Sequence, residues 1–230
     1  MSSSKALIFG STGLIGSQVL KTLTSSSLFE KVTLVNRRNH PEQGLVKPHR
    51  HIEEVLFDYD DWTQVEHLFT AETSVFICIG TTRSKTPDKE KYQHIDRDIP
   101  ISIAQMAQKG NCTSVQVVSA MGADADSNVF YNRTKGEMEE GVKSAYTAGS
   151  VVFYRPGLLL GDRQESRIGE TIGEWIFWLA DPFLRGNSAK YRSIRDEDVA
   201  RAMIFAAHRV VPSATVYYDA MLSWSRALGD

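Results

Sequence analysis

The sequence predicts an α/β fold: a doubly wound parallel sheet of about six to seven strands with helices on both faces. Three observations predict it. Short β-branched runs alternate with amphipathic segments along the chain, and several of those runs are apolar throughout. A strand wetted on one face reads as alternation, whereas a strand covered on both faces reads as a continuous apolar run. The first run also leads into the second segment through a glycine-punctuated turn. Strand–helix alternation means βαβ units, because parallel strands need crossover connections.

The elements follow in order. "ALIF" from Ala6 is the first strand, and "LIGSQVLKTL" has the apolar period of a helix. "VTLV" from Val32 and "EVLF" from Glu54 are the second and third strands, and "WTQVEHLF" is a helical segment after them. "VFICI" from Val75 and the helix "ISIAQMAQKG" form the next unit, "VQVV" from Val115 and the helix "KGEMEEGVKSAY" the one after. "VVFY" from Val151 is the sixth strand, "DEDVARAMIFAAH" the last clear helix, and "TVYY" from Thr215 a candidate seventh strand.

Residues 162–195 show neither period, and ordinary connections run to only ~4–6 residues. They read as an inserted substrate or lid section, a small C-terminal lobe of one domain spanning residues 1–230. Trp175, Phe177 and Trp178 cover a broad helical arc there. The arc suits packing of the lobe, or contact with a second copy or a partner protein.

Composition narrows the function classes. The 26 Lys and Arg against 28 Asp and Glu leave a formal net charge of -2, which argues against a broad nucleic-acid surface. The longest apolar block, "WIFWLADPFL", is broken by Asp181 and Pro182 and is too short to span a bilayer. "MSSSKALIFG" enters a strand at once, leaving no room for a signal peptide. Cys78 and Cys112 lie in or beside strand-like runs and read as buried thiols in a reducing compartment, so a cytoplasmic location is expected. Of six histidines only His49 and His51 are close, without cysteines or an H-E-x-x-H spacing, so no metal site is expected.

The nucleotide end rests on "LIFGSTGLIGS". Gly10 suits the tight turn, Gly13 the close approach of a pyrophosphate, and Gly16 close helix–strand packing. The phosphates would then lie on the exposed amides of the helix N-terminus, at Gly10, Ser11, Thr12, Gly13, Leu14 and Ile15. This is the pattern of a Rossmann-type domain. The second strand ends in Asn36, Arg37 and Arg38. A free ribose 2′-hydroxyl favours an acid at that place, whereas guanidiniums suit a 2′-phosphate. NADP(H) is therefore favoured over NAD(H). Asp58 is placed for the adenine edge, and Gly80, Thr81 and Thr82 for the ribose and phosphates.

The chemical end rests on Ser119 at the close of the fifth strand, with Tyr131 and Lys135 twelve and sixteen residues on. Residues four apart share a helix face. An ammonium there favours phenolate, and it could also anchor the nicotinamide ribose. The tyrosine would then serve as acid/base toward a carbonyl or alcohol whose oxygen Ser119 orients.

This constellation resembles the short-chain dehydrogenase/reductases. Between about Lys5 and Arg167, "GTTRSK", "DRD" at Asp96–Asp98, "GADADSNVFYNRTKGEMEE" and "RPGLLLGDRQESR" resemble its atypical branch, which holds the Tat-interactive-protein oxidoreductases and their fungal mitochondrial relatives. The resemblance implies an NADP(H)-binding domain and catalytic roles for Ser119, Tyr131 and Lys135. It also implies that Arg155, Pro156 and Gly157 start the loop under the nicotinamide. One departure stands out. Many family members support a proton relay with an asparagine where this chain has Asp96, and a carboxylate cannot donate as an amide does.

The branch includes members known as regulators, so a second reading is an NADPH-binding regulatory protein with little turnover. Nucleotide-sugar epimerases share the trio but usually carry a larger C-terminal domain. In "GDRQESR", Arg163 and Arg167 could clamp an anionic substrate or form a salt-bridged loop.

Overall fold

Seven parallel strands lie in the order β3-β2-β1-β4-β5-β6-β9. In chain order they are β1 (Lys5–Phe9), β2 (Lys31–Asn36), β3 (Ile52–Leu56), β4 (Thr73–Ile77), β5 (Ser114–Val118), β6 (Ser150–Tyr154) and β9 (Ala214–Val216). The computed structural model describes residues 4–46, 49, 51–160 and 192–229. From β1 the chain winds outward to β2 and β3, then returns across β1 to β4 and onward. The point where the winding reverses lies between β1 and β4, where ligands of such sheets bind at the strands' carboxyl ends.

The register keeps those ends level. Phe9 pairs with both Val35 and Ile77, and Val118 with Tyr154. Successive residues face opposite sides of a strand, and both sides are buried here. Ile8 joins a core under α1 (Leu14–Thr24), α6 (Asp196–Arg209) and α7 (Tyr218–Ala227), with Leu20, Met203 and Met221. Phe9 joins a second core under α4 (Ile99–Lys109) and α5 (Phe130–Ala145), with Ile103, Met138 and Val142. Burying each large aliphatic or phenyl group contributes roughly 1.5–3 kcal/mol, so two-sided cover makes the sheet the rigid part of the molecule.

Several elements differ from the sequence expectation. "WTQVEHLF" is not one amphipathic helix but two 3₁₀ turns, Trp62–Gln64 and Glu66–Leu68. The Asp61 carboxylate caps the first by accepting from the Thr63 amide at 3.1 Å, while Trp62 packs edge-on against Phe57. Tight turns thus bury Val65 and Phe69 over a short connection. The helix before β5 starts earlier than expected. It runs through α3 (Lys89–Gln93, capped by Asp88), a π-helical turn (His94–Asp98) and then α4. "TVYY" stops being a strand at Val216, because Tyr218 begins α7. A four-residue α2 (Gln43–Val46) lies between β2 and β3.

The section expected as an inserted lobe falls at 161–191 outside the described residues, and with it Trp175, Phe177, Trp178, Arg163 and Arg167. Its described edges meet: β7 (Leu159–Leu160) pairs in parallel with β8 (Ile194–Arg195).

Packing of α5 sets the site. A Cβ on Gly136 would collide with the backbone of Asp124 and Ala125, so the helix lies directly on the loop after β5. Gly136→Ala is expected to lower stability by about 3 kcal/mol through overpacking against backbone. Urea unfolding checks this; a loss under about 0.5 kcal/mol would mean the loop yields.

Candidate active site

The glycine turn is built by close approach. Gly10 has φ +83°, and a Cβ there would stand 2.7 Å from the Cys78 carbonyl oxygen. A Cβ on Gly16 would run into the Gly10 carbonyl. Only glycine tolerates both positions. Gly13 donates its amide to the Gly10 carbonyl at 3.0 Å and caps α1 without any side-chain acceptor or first-turn acid. The first-turn amides of α1 are therefore left for an anion, and the helix dipole favours one.

Beyond this turn lies a groove of about 730 Å³ lined by Gly10, Thr12, Gly13, Asn36, Arg37, Arg38, Tyr59, Gly80 and Thr81, among others. Arg37, Arg38, Lys85 and Lys91 bring four cations to it, and no carboxylate lines it among the described residues. Such a groove has the charge and the glycine-lined wall that a dinucleotide's phosphates need.

The basic turn after β2 is fixed from behind. Buried Ser11 donates to Asn36 Oδ1 at 2.8 Å, and Asn36 Nδ2 donates to Glu54 Oε1 at 2.7 Å. Glu54 Oε1 also accepts from the His40 amide at 2.7 Å. His40 Nδ1 accepts from the Glu42 amide at 3.2 Å, which leaves Nε2–H to donate to the Ser11 carbonyl at 3.4 Å. Ser11 and Asn36 thus act as braces: the Ser11 hydroxyl proton and one Asn36 Nδ2 proton are spent on holding the turn. Sequence reading missed Glu54, His40 and Tyr59. Tyr59 takes a left-handed φ of +73° and lines the groove, where Asp58 was expected; Asp58 is not among the lining residues. Burial pushes the Tyr59 phenol up to about 12, despite the Arg37 guanidinium, so it meets the groove as a neutral ring. Leu14 flanks the turn and Ile15 is buried in the first core, while Thr82 Oγ1 is bonded to Ser84 Oγ at 2.9 Å.

At the chemical end, Tyr131 occupies the first turn of α5 and is 41% exposed. Lys135, one turn on, is 5% exposed, and its Nζ lies 2.9 Å from Asp96 Oδ1. Asp96 Oδ2 accepts from the Thr81 amide at 2.8 Å. Burial alone would pull the Lys135 ammonium down, but Asp96, with Tyr131 and Glu139, outweighs it and holds the group above the ordinary lysine value. The ammonium expected beside the phenol is thus matched by a buried carboxylate.

Ser119 is likewise engaged by a buried carboxylate. Its hydroxyl, 4% exposed, donates at 2.6 Å to Oε1 of buried Glu139 rather than pointing at the groove. Glu139 in turn accepts from Arg155 Nε and Nη2, each at 2.8 Å. A serine has one proton to give, and this one is engaged. Arg155, expected to start the nicotinamide loop, is the bidentate partner of that carboxylate. Pro156 is buried and its carbonyl accepts from the Met121 amide at 3.3 Å, with Gly157 half-buried beside it. Neither Pro156 nor Gly157 lines the groove. The sequence held no signal for Glu139, because its charged neighbours read as a solvated helix face.

Residues 10–158 match the family model described as NAD(P)H-binding. The chain is 33% identical over 183 residues to Protein HTATIP2 of Rattus norvegicus, covering 80% of this chain and 71% of that one. It is 34% identical over 174 residues to the mitochondrial Protein FMP52 of Candida albicans, covering 73% and 75%. The chain belongs to the NAD(P)H-binding, HTATIP2-like branch of the short-chain dehydrogenase/reductases. A UDP-N-acetylglucosamine 4-epimerase from Methanobrevibacter ruminantium has the same fold, with a TM-score of 0.68 at 17% identity over 94% of this chain and 77% of that one.

For this HTATIP2-like protein the cytoplasmic expectation is overturned, since its fungal relatives are named mitochondrial. That expectation rested on Cys78 and Cys112, both free. Free thiols mark reducing surroundings without naming a compartment. No helix among the described residues is long and apolar enough to cross a membrane.

Two outcomes follow from the buried pairs. Glu139→Gln, which leaves Arg155 without its anion, is expected to cost about 3 kcal/mol in urea unfolding. Because Lys135 titrates above its ordinary 10.5 when folded, its pairing adds stability in full below that value and loses it only at more alkaline pH. Unfolding free energy should therefore lose nothing to this lysine between about pH 6 and 10. A lysine-dependent fall within that window, absent in Lys135→Met, would contradict the pairing.

Proposed function

We propose that the protein is an NADP(H)-dependent oxidoreductase of the short-chain dehydrogenase/reductase type, acting on a carbonyl or alcohol. The observation that supports it best is the groove at the winding reversal. Among the described residues four cations line it without a carboxylate, and the second strand ends in Asn36-Arg37-Arg38 where a 2′-hydroxyl would favour an acid. Gly10, Thr12 and Gly13 would bear the pyrophosphate, Arg37 and Arg38 the 2′-phosphate, and Gly80, Thr81 and Thr82 would lie beside the ribose and phosphates. Bound nicotinamide nucleotide supplies hydride chemistry.

The chain's own part is proton transfer and positioning. Tyr131, exposed at the helix start, would give its phenolic proton to a carbonyl oxygen, or take one from an alcohol. Lys135 would hold the ribose. Ser119 could donate to a carbonyl oxygen only by giving up Glu139, so that role depends on a rearrangement of the buried bond, whereas its oxygen can accept from an alcohol as it stands. The 162–195 section remains our candidate for the substrate lobe, and its aromatic stretch for a contact with another copy or a partner protein. The names of the fungal relatives support a mitochondrial location for this chain as well.

A second reading is favoured by one observation: two of the three catalytic side chains, Ser119 and Lys135, are engaged with buried carboxylates. On that reading the protein binds NADPH and acts through a partner, with little turnover.

Calorimetric titration decides the cofactor. NADPH is expected to bind at least about tenfold tighter than NADH, and Arg37→Ala to remove most of the difference. NADH binding tighter to the unmodified protein would overturn the NADP(H) reading. A screen of aldehydes, ketones and sugar nucleotides for NADPH oxidation, abolished by Tyr131→Phe, supports the enzyme; tight NADPH binding with no turnover supports the regulator.

A further inference from the structure

The carboxylate of Asp96 touches both halves of the cleft. Oδ2 accepts from the amide of Thr81, which lines the nucleotide groove, and Oδ1 lies 2.9 Å from Nζ of Lys135 beneath the exposed Tyr131. Resting on the oxidoreductase reading above, we propose that Asp96 is a positioning residue that couples nucleotide binding to the Lys135–Tyr131 end of the site. It does so by holding the groove wall and the lysine with one side chain.

The local structure is arranged for this. Asp96 sits on the π-helical turn His94–Asp98, a departure from regular helix that recurs at functional sites. The side chain is 1% exposed. Thr81 Oγ1 is bonded to Thr86 Oγ1 at 2.8 Å, so the amide anchored by Asp96 carries with it a loop that holds two more groove residues, Lys85 and Thr86. Among the described residues the titratable groups facing Lys135 are Asp96 from the π turn and Tyr131 and Glu139 from its own helix. Glu139 is already matched bidentately by Arg155. Asp96 is thus the carboxylate left to Lys135, and an ammonium buried without one gives up its proton.

The test uses NADPH and needs no turnover. Lysine labelled with ¹³C at Cε, with Lys135→Arg to assign the signal, reports the charge of Lys135 in the full chain. In the unmodified protein the lysine should stay charged between about pH 7 and 9, and NADPH affinity should be flat there. In Asp96→Asn the Lys135 signal should titrate within that range. NADPH affinity should be about tenfold weaker and should fall further as pH rises. If Lys135 titrates as before and NADPH binds Asp96→Asn equally well across the range, the coupling is refuted while the nucleotide reading stands. If the unmodified protein binds no NADPH, both fall.

Should Asp96→Asn fail to fold, Asp96→Glu decides. It keeps the charge but displaces the Thr81 amide, so Lys135 should stay charged while NADPH affinity drops at least about fivefold. Unchanged affinity in that variant would overturn the proposal.

Discussion

Asp96 and Lys135 face each other in a part of the molecule that water barely reaches. Taking both charges out of water costs several kcal/mol per ion, and attraction returns this only with good geometry and further hydrogen bonds. The second carboxylate oxygen finds its bond at the Thr81 amide, so both oxygens of Asp96 are satisfied. The π turn delivers the aspartate inward, and the tight seat of Gly136 on the Asp124–Ala125 backbone delivers the lysine. An apolar pair would fill the same space more cheaply. That a charged one is kept fits a cleft in which a cation has to stand near a tyrosine and a ribose.

Around this pair, polar side chains divide into those that touch a ligand and those that hold others still. At the nucleotide end Ser11, Asn36, Glu54 and His40 bond to one another. That leaves backbone amides and guanidiniums for phosphates, and preorganised donors lose least on binding. At the chemical end Ser119, Glu139 and Arg155 form a second network, which Arg155 extends to the Tyr217 hydroxyl. Residues that a motif marks as ligands are thus partly supports.

The sheet was legible because parallel strands covered on both faces carry apolar runs that few other structures need, and β1, β2, β5 and β6 fall where those runs lie. The glycine turn was legible because strand, turn and helix stand in fixed order. Helix ends were less so. Trp62–Leu68 has an apolar period, yet Asp61 and the Phe57 packing select tight turns over a helix. Glu139 was illegible for a different reason. Its partners, Ser119 and Arg155, lie 20 and 16 residues away, and a glutamate beside other charges gives no sign that it is buried. Tyr59 escaped because a left-handed backbone at a tyrosine has no sequence mark.

The central claim is that the Arg37–Arg38 turn and the Asp96–Lys135 pair serve one nicotinamide dinucleotide bearing a 2′-phosphate. A crystal structure with NADP bound tests it most directly. The 2′-phosphate oxygens are expected within hydrogen-bonding distance of the Arg37 or Arg38 guanidinium, with Lys135 still on Asp96 and in reach of the nicotinamide ribose. A 2′-phosphate left in solvent with both guanidiniums turned away, or a ribose out of reach of Lys135, would contradict it.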